Sequence, residues 1–136
     1  MFDKPFHLKI IAPERIAYKG EAVSVTVPGS LGMFQVLFNH APILAELVPG
    51  PLKIRDASGN ELLFAVGGGF VEVRDNVVNV LADSVESMAE INVDRAKDAR
   101  DRAVRLLKER MPGEDLNEAQ GALNRAHNRL RVAGNH

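Results

Sequence analysis

Apolar and polar residues alternate along the first two thirds of the chain. Residues 6–11 follow a period of two, and Val23, Val25 and Val27 give the clearest alternation of the whole sequence. A period of two is typical of strands with one buried face. Similar runs predict further strands at 33–38, 43–48, 51–56, 61–66, 69–74 and 77–82, with hairpin turns at 56–60 and 75–76. Strands that recur roughly every 8–12 residues indicate a flattened β-sandwich or barrel.

The period changes to that of an α-helix in the last third of the chain. Alanines and leucines recur at steps of 3 and 4 through residues 96–106, and again through residues 116–133. This spacing predicts two helices with narrow apolar seams. Pro112 and Gly113 interrupt the pattern, so we expect the helices to fold back as an antiparallel hairpin. Because most seam positions are alanine, the hairpin buries little apolar area and is expected to be weakly held.

The two patterns predict an α+β protein with a module boundary near residue 87. Residues 1–86 would form the β-sandwich and residues 87–136 the helical hairpin. The charge changes at the same place, because residues 1–86 carry a net charge of −3 and residues 87–136 a net charge of +2. The total of −1 gives no indication of a nucleic-acid partner.

Composition excludes several kinds of site. The chain has no cysteine, which excludes disulfides, thiolate metal sites and cysteine nucleophiles. Its N-terminal residues contain no apolar run long enough for a signal peptide. No stretch approaches the roughly 18 apolar residues that span a bilayer. Any membrane association is therefore expected to go through a partner protein.

Glycine and proline punctuate residues 27–52, which read VPGSLGMFQVLFNHAPILAELVPGPL. Gly29 and Gly32 indicate backbone that turns with positive φ or passes close to a neighbour. Pro42 keeps the preceding residue out of the helical region. This segment and its flanks resemble the epsilon subunit of the rotary F-type ATP synthase. The matching motifs are GSLGMFQVL at 29–37, NHAP at 39–42, IAPER at 11–15, PGPLKI at 49–54, GGGFVEV at 67–73 and VLAD at 80–83.

The resemblance implies a non-catalytic subunit of the rotor, with no required cofactor. Its β module would bind the gamma subunit and touch the membrane c-ring, on the cytoplasmic face of a bacterial plasma membrane. The expected ring-facing edge comprises Ser30, Leu31, Gly32, His40, Ala41 and Pro42. Relatives often carry an acidic residue where this chain has Ser30, so one charged contact with the ring would be absent.

The resemblance also implies that the helical hairpin is regulatory. Folded on the β module, the hairpin would permit rotation in both directions. Extended along the gamma subunit, it would reach acidic surfaces of the catalytic beta and alpha subunits and block ATP hydrolysis. The basic residues that would make this contact include Lys97, Arg100, Arg105 and Lys108.

Residues 91–96 read INVDRA. From the residues alone, Asn92 is the N-cap of the first helix and Asp94 lies in its first turn. Nucleotide-binding bacterial members of the epsilon family carry Ile/Leu-Asp-x-x-Arg-Ala at this place, as part of an ATP site. Asn92 replaces the aspartate of that motif, which keeps the cap and removes a charge. The resemblance implies an ATP site, with ATP as a regulatory ligand, formed by Glu86, Ile91, Asn92, Arg95, Ala96, Arg102, Arg125 and Arg129.

Alternatives remain open at several of these positions. The arginines suit a triphosphate because each guanidinium offers forked donors, but a solvated face or an acidic protein partner would need the same residues. Residues 67–69 are three glycines, which indicate a bulge or a close backbone approach better than a phosphate loop. A free-standing nucleotide sensor is one rival function. A small β-sandwich enzyme that uses His40 and Glu46 is another, although His40 is expected to be structural or interfacial.

Overall fold

The computed structural model describes residues 4–110 and 115–134. The predicted fold class is confirmed, since a β-sandwich precedes two helices. Pro112 and Gly113 lie outside the described residues. The strands are β1 (Phe6–Ala12), β2 (Arg15–Ala22), β3 (Ser24–Gly29), β4 (Gly32–Val36), β5 (Ile43–Arg55), β6 (Glu61–Arg74), β7 (Val77–Ala82) and β8 (Val85–Ser87). A short 3-10 helix at Met88–Glu90 leads to α1 (Val93–Glu109), which is followed by α2 (Leu116–Val132).

The strands are hydrogen-bonded in the order β2-β1-β7-β6-β5-β3-β4, and β8 pairs with β6. The β1–β7 pair is parallel and the other pairs are antiparallel. Inward residues of all the longer strands share one core, which includes Leu8 and Ile10 of β1, Val25 and Val27 of β3, and Val80 of β7. A sheet that buries one face against itself in this way is the sandwich predicted from the alternation.

Two predicted pairs of strands are each a single long strand, and this part of the prediction was wrong. The runs at 43–48 and 51–56 join as β5, and the runs at 61–66 and 69–74 join as β6. The glycine and proline residues that appeared to separate them lie opposite each other, with Pro49 paired to Gly67 and Gly50 to Val66. The first half of β6 pairs with β8 and the second half with β7. Glycine and proline therefore form a bend where both strands pass from one layer to the other.

The three glycines at 67–69 allow this bend. Gly69 has φ of +132°, and a Cβ atom there would overlap the carbonyl oxygen of Leu81 on β7. A Cβ atom at Gly67 would overlap the hydroxyl of Ser84. The predicted close backbone approach is thus confirmed, because no side chain fits between these strands.

Two strands, β2 and β8, were not predicted. The β2 strand lies at one end of the strand order and its residues are largely exposed, so apolar and polar residues do not alternate along it. The β8 strand has only 3 residues, which is too short for a period to be recognised.

Helix α2 contacts the β-sandwich at β5 and β6, and α1 packs on α2. The seam between the helices contains buried alanines, including Ala96, Ala103, Ala119 and Ala126. A small apolar cluster of Ala65, Ile91 and Val132 lies where the hairpin meets the sandwich. Neither helix, within the residues described, is long and apolar enough to cross a bilayer.

Candidate functional site

The first turn of α1 is built as the sequence predicts. The Asn92 side-chain oxygen accepts a hydrogen bond of 3.0 Å from the backbone N–H of Arg95, and Asp94 lies in the first turn. This confirms Asn92 as the N-cap. Because the oxygen is used by the cap, the amide nitrogen of Asn92 is the group left to donate to a ligand. An aspartate here would offer a second acceptor oxygen instead.

A cleft of about 420 Å³ lies beside this turn, between α1, α2 and β8. Its lining combines three arginines, two acids and small or amide side chains, namely Glu86, Asn92, Arg95, Ala96, Asp98, Ala99, Arg102 and Arg129. Six of the eight residues of the predicted nucleotide site therefore meet in one cleft. Of the other two, Ile91 is buried in the apolar cluster beneath the hairpin. Arg125 lines a smaller adjoining cavity together with Glu86 and Arg129.

The charges in the cleft leave an excess of one positive charge, because three arginines face Glu86 and Asp98. Arg129 donates to the carboxylate of Glu86, and both side chains are about one third exposed. Within the described residues, Arg95 and Arg102 form no ion pair. Two guanidinium groups are thus available to an anion, and a third is held by a partly exposed carboxylate.

The residues of the predicted ring-facing edge form two groups, which lie in separate loops beside β5. Leu31 is fully exposed at the β3–β4 turn, where the Ser30 N–H donates to the Glu46 carbonyl at 2.9 Å. His40, Ala41 and Pro42 precede the first residue of β5, and the His40 ring contacts the Ala41 carbonyl at 2.7 Å. Glu46, which anchors the first group, lies three or four residues along β5 from the second group, so roughly 10–13 Å of strand separates the two.

Two amide side chains fix the loop that carries His40. The Asn39 N–H donates to the Asn76 side-chain oxygen at 2.6 Å, and the Asn76 amide donates back to the Asn39 side chain at 3.1 Å. Both residues have positive φ. Residues 75–76 were predicted as a turn, but this link was not predicted, because it joins residues 37 positions apart.

An exposed apolar row crosses the sandwich and was not predicted. The register places Phe70 opposite Leu81, Leu81 beside Ile11, and Ile11 opposite Ile16, so their side chains share one outer face. Phe70, Leu81 and Ile16 are about half exposed, at 49%, 51% and 56%. A row of this kind across four strands is unusual for a solvated surface and indicates a protein contact. Its sequence signal is weak because apolar residues occur on both faces of these strands.

A second unpredicted feature joins the sandwich to the segment that precedes α1. Arg15 donates to both carboxylate oxygens of Glu90, at 2.7 and 3.0 Å, and to the Val85 carbonyl at 3.0 Å. The Ser87 N–H also donates to Glu90, at 2.9 Å. These hydrogen bonds, first those from Arg15 and then those from Ser87, lower the pKa of Glu90 to about 2. We call this arrangement the Arg15–Glu90 clamp.

Comparison with known proteins identifies the family. Residues 5–88 match the family model of the ATP synthase delta/epsilon chain β-sandwich domain, and residues 89–134 match that of its long α-helix domain. The chain is 44% identical over 128 residues to the ATP synthase epsilon chain of Moorella thermoacetica, covering 94% of this chain and 96% of the relative. It is 41% identical over 133 residues to the epsilon chain of Nitratidesulfovibrio vulgaris, covering 98% of each.

Solved structures share the fold. A chain in the structure of the Euglena gracilis mitochondrial ATP synthase, comprising OSCP, F1 and c-ring, superimposes with a TM-score of 0.81 at 22% identity, over 95% of this chain and 81% of that one. A chain of the Tetrahymena thermophila mitochondrial central stalk and c-ring superimposes with a TM-score of 0.65 at 19% identity, over 93% and 95% of the two chains. With both of its modules matched by the family models, the chain belongs to the delta/epsilon chain family of ATP synthase.

Proposed function

We propose that this chain is a non-catalytic rotor subunit that joins the gamma subunit to the membrane c-ring. The relatives are named as epsilon chains, and the structural neighbours come from assemblies that contain a c-ring. The fully exposed Leu31 and the His40 loop supply the proposed ring contact. The complex, and with it this chain, would lie at the cytoplasmic face of a bacterial plasma membrane.

The apolar row is the proposed contact for the gamma subunit. Phe70, Leu81 and Ile16 are half exposed in the isolated chain and lie side by side on adjacent strands. Burying half-exposed side chains of this size against a partner is favourable at about 25 cal/mol per Å². The row is flanked by charged residues such as Lys9 and Glu46, which resembles the apolar centre and polar rim of protein interfaces.

The cleft is the observation that carries a regulatory role for the hairpin. It brings Arg95 and Arg102 of α1, which form no ion pair with any residue that the structure describes, together with Arg129 of α2, in a volume suited to a small ligand. We propose that it binds ATP. The triphosphate would lie against the arginines, where guanidinium groups give bidentate hydrogen bonds to phosphate oxygens. It would compete with Glu86 for Arg129.

ATP bound in this cleft would favour the docked hairpin. Glu86 belongs to β8, Arg95 to α1 and Arg129 to α2. These cleft residues would therefore lie together only while α2 stays on the sandwich. A ligand shifts a conformational equilibrium by its difference in affinity for the two states. When ATP is scarce, the hairpin would undock and its basic face, which includes Lys97, Arg100, Arg105 and Lys108, would reach the catalytic beta and alpha subunits and inhibit hydrolysis.

Calorimetric titration of the isolated chain with ATP and with GTP tests the site. We expect saturable binding that prefers ATP and is lost in Arg95→Ala. Arg105→Ala is the matched control, since it removes an exposed arginine of the same helix that does not line the cleft. Absence of binding at millimolar ATP, or equal loss in the control, would refute the site.

Deletion of residues 88–136 tests inhibition in the assembled complex. We expect the complex to assemble and its ATP hydrolysis to rise, because the sandwich that binds the rotor is retained. Unchanged hydrolysis would remove the inhibitory role. Co-purification of the full chain with the gamma subunit distinguishes a rotor subunit from a free-standing nucleotide sensor, which would bind ATP without that partner.

A further inference from the structure

One buried polar side chain lies in the contact between α2 and the β-sandwich. Asn128 is only 5% exposed. Its amide nitrogen donates to the carbonyls of Gly50 and Val66, at 2.9 and 3.1 Å. These two residues are register partners on β5 and β6. Asn128 therefore reaches both long strands at the bend where they pass between the layers.

This contact fixes the orientation of the amide. Both partners of the amide nitrogen are carbonyl oxygens, which only accept, so a rotated amide would place oxygen against oxygen. Within the described residues, the side-chain oxygen of Asn128 has no hydrogen-bond partner. Asn128 was not predicted, because its partners lie 78 and 62 residues away along the chain.

The same contact fixes where α2 lies on the sandwich. An asparagine side chain is short, so a rotation or a shift of the helix by one turn would break both hydrogen bonds. Apolar neighbours such as Val132 tolerate such a shift more readily, since the hydrophobic effect is not directional. Asn128 therefore distinguishes one helix position from another, which the apolar neighbours do not.

Two arginines of the cleft region depend on that position. Arg129 follows Asn128 directly and donates to Glu86 of β8. Arg125 lies one turn earlier and lines the small cavity that also contains Asn128. The Arg125 guanidinium itself donates to Glu118 of the same helix, at 2.9 Å. A helix that lost its position would carry the Arg129 guanidinium away from Glu86 and the Arg125–Glu118 pair away from the small cavity, because these residues belong to one rigid element.

We propose that Asn128 is a positioning residue that places Arg129 at the nucleotide cleft, and Arg125 at the small cavity beside it, by fixing α2 on the strand bend. Its effect on ATP affinity rests on the function proposed above, whereas its effect on the position of α2 does not. Asn128 would not touch the ligand. Its loss would separate the helix from the sandwich and disperse the cleft.

The decisive variant is Asn128→Asp, which is nearly isosteric and replaces the donor nitrogen with a charged oxygen facing two carbonyls. Asn128→Ala removes the same hydrogen bonds without adding charge. Asn124→Asp is the matched control, because Asn124 is exposed on the same helix and its side chain accepts from Gln120 at 3.0 Å. An aspartate at 124 keeps that acceptor while adding the same charge to α2.

The position of α2 is measured directly with spin labels. The chain has no cysteine, so Ser58→Cys in the β5–β6 turn and Asn117→Cys near the start of α2 provide two unique exposed label sites. We expect one narrow distance distribution in the labelled parent and in Asn124→Asp. We expect a broad distribution in both variants at 128. Unchanged chemical shifts of the core valines verify that the sandwich remains folded.

ATP titration of the same proteins completes the test. We expect the affinity to fall by at least about tenfold in both variants at 128, as for loss of a buried hydrogen-bonded group, and to be unchanged in the control. A narrow distribution in the two variants would overturn the proposal, and so would a broad one with parental ATP affinity. If the parent itself binds no ATP, the proposed nucleotide function fails while the distances still decide the role of Asn128.

Discussion

The Arg15–Glu90 clamp joins the β-sandwich to the segment that precedes α1. Arg15 begins β2, and Glu90 ends the short helix that precedes α1. With both carboxylate oxygens of Glu90 bound to one guanidinium, the chain is tied to the sandwich up to residue 90. We predict a favourable coupling free energy between the two side chains, measured by a double-mutant cycle of Arg15→Ala and Glu90→Gln.

The magnitude follows from the geometry and the exposure. The pKa of Glu90 falls from 4.5 to about 2, and a fully buried group with such a shift would contribute ~3 kcal/mol. The side chains of Arg15 and Glu90 are 41% and 46% exposed, so solvent screens most of this. Exposed ion pairs contribute ~0.2–1 kcal/mol, and the bidentate geometry places this pair at the upper end. We therefore expect a coupling of about 1 kcal/mol at neutral pH.

The pH dependence has a defined sign. The pKa of Glu90 is lower in the folded state, so its contribution is complete above pH 4.5 and is lost as the pH falls from 4.5 to about 2. Urea unfolding of the four proteins of the cycle at pH 7 and near pH 2 measures the coupling in each condition. A coupling within error of zero at pH 7, or an equal coupling at the two pH values, would refute the reasoning.

Two further predictions concern the bend and the loop that is proposed to face the ring. Gly69→Ala should destabilise the sandwich by about 3–5 kcal/mol, because the new Cβ overlaps the backbone of β7. Gly59 also has positive φ, but the space around it is open. Thermal unfolding of Gly59→Ala should therefore show a clearly smaller loss of stability than Gly69→Ala. Equal losses of stability in the two variants would contradict the steric explanation. Asn76→Gly keeps the positive φ of the turn and removes the link to Asn39, so we expect weaker binding of the complex to the c-ring. Asp75→Gly, its control at the same turn, should bind the ring normally, and parental binding by both would contradict a role for the link.

Local sequence patterns predicted where most strands and helices lie, but not that two pairs of predicted strands are each one continuous strand. Alternation identified the strands around Val25, and the cap at Asn92 followed from residue chemistry, since both depend on neighbours in the sequence. Breaks inside β5 and β6 were wrongly predicted, because glycine and proline, here Gly67 and Pro49, are also common in turns. Only the pairing of the two strands shows that these residues produce a bend instead.

The residues of the candidate site also separate into those identified from the sequence and those that only the complete fold reveals. The family motif identified Arg95 and the wider resemblance identified Arg129, and the structure places both around one cleft. Nothing in the sequence indicated Asn128 or the Arg15–Glu90 clamp, since each connects elements far apart along the chain. Long-range polar contacts of this kind depend on the complete fold, and no period or motif encodes them.

In the proposed mechanism, the two polar contacts divide the chain into a fixed part and a movable part. The clamp holds residues up to Glu90, while α2 is held by Asn128, by the Arg129–Glu86 ion pair and by a small apolar cluster that includes Ile91 and Val132. Undocking of α2 would then begin at residues 91–92, between the clamp and the helix cap. Because so few groups hold α2, a ligand need supply only the ~1–3 kcal/mol that is typical of allosteric coupling. ATP of modest affinity would therefore suffice to shift the hairpin, provided that it binds the docked state better than the undocked one.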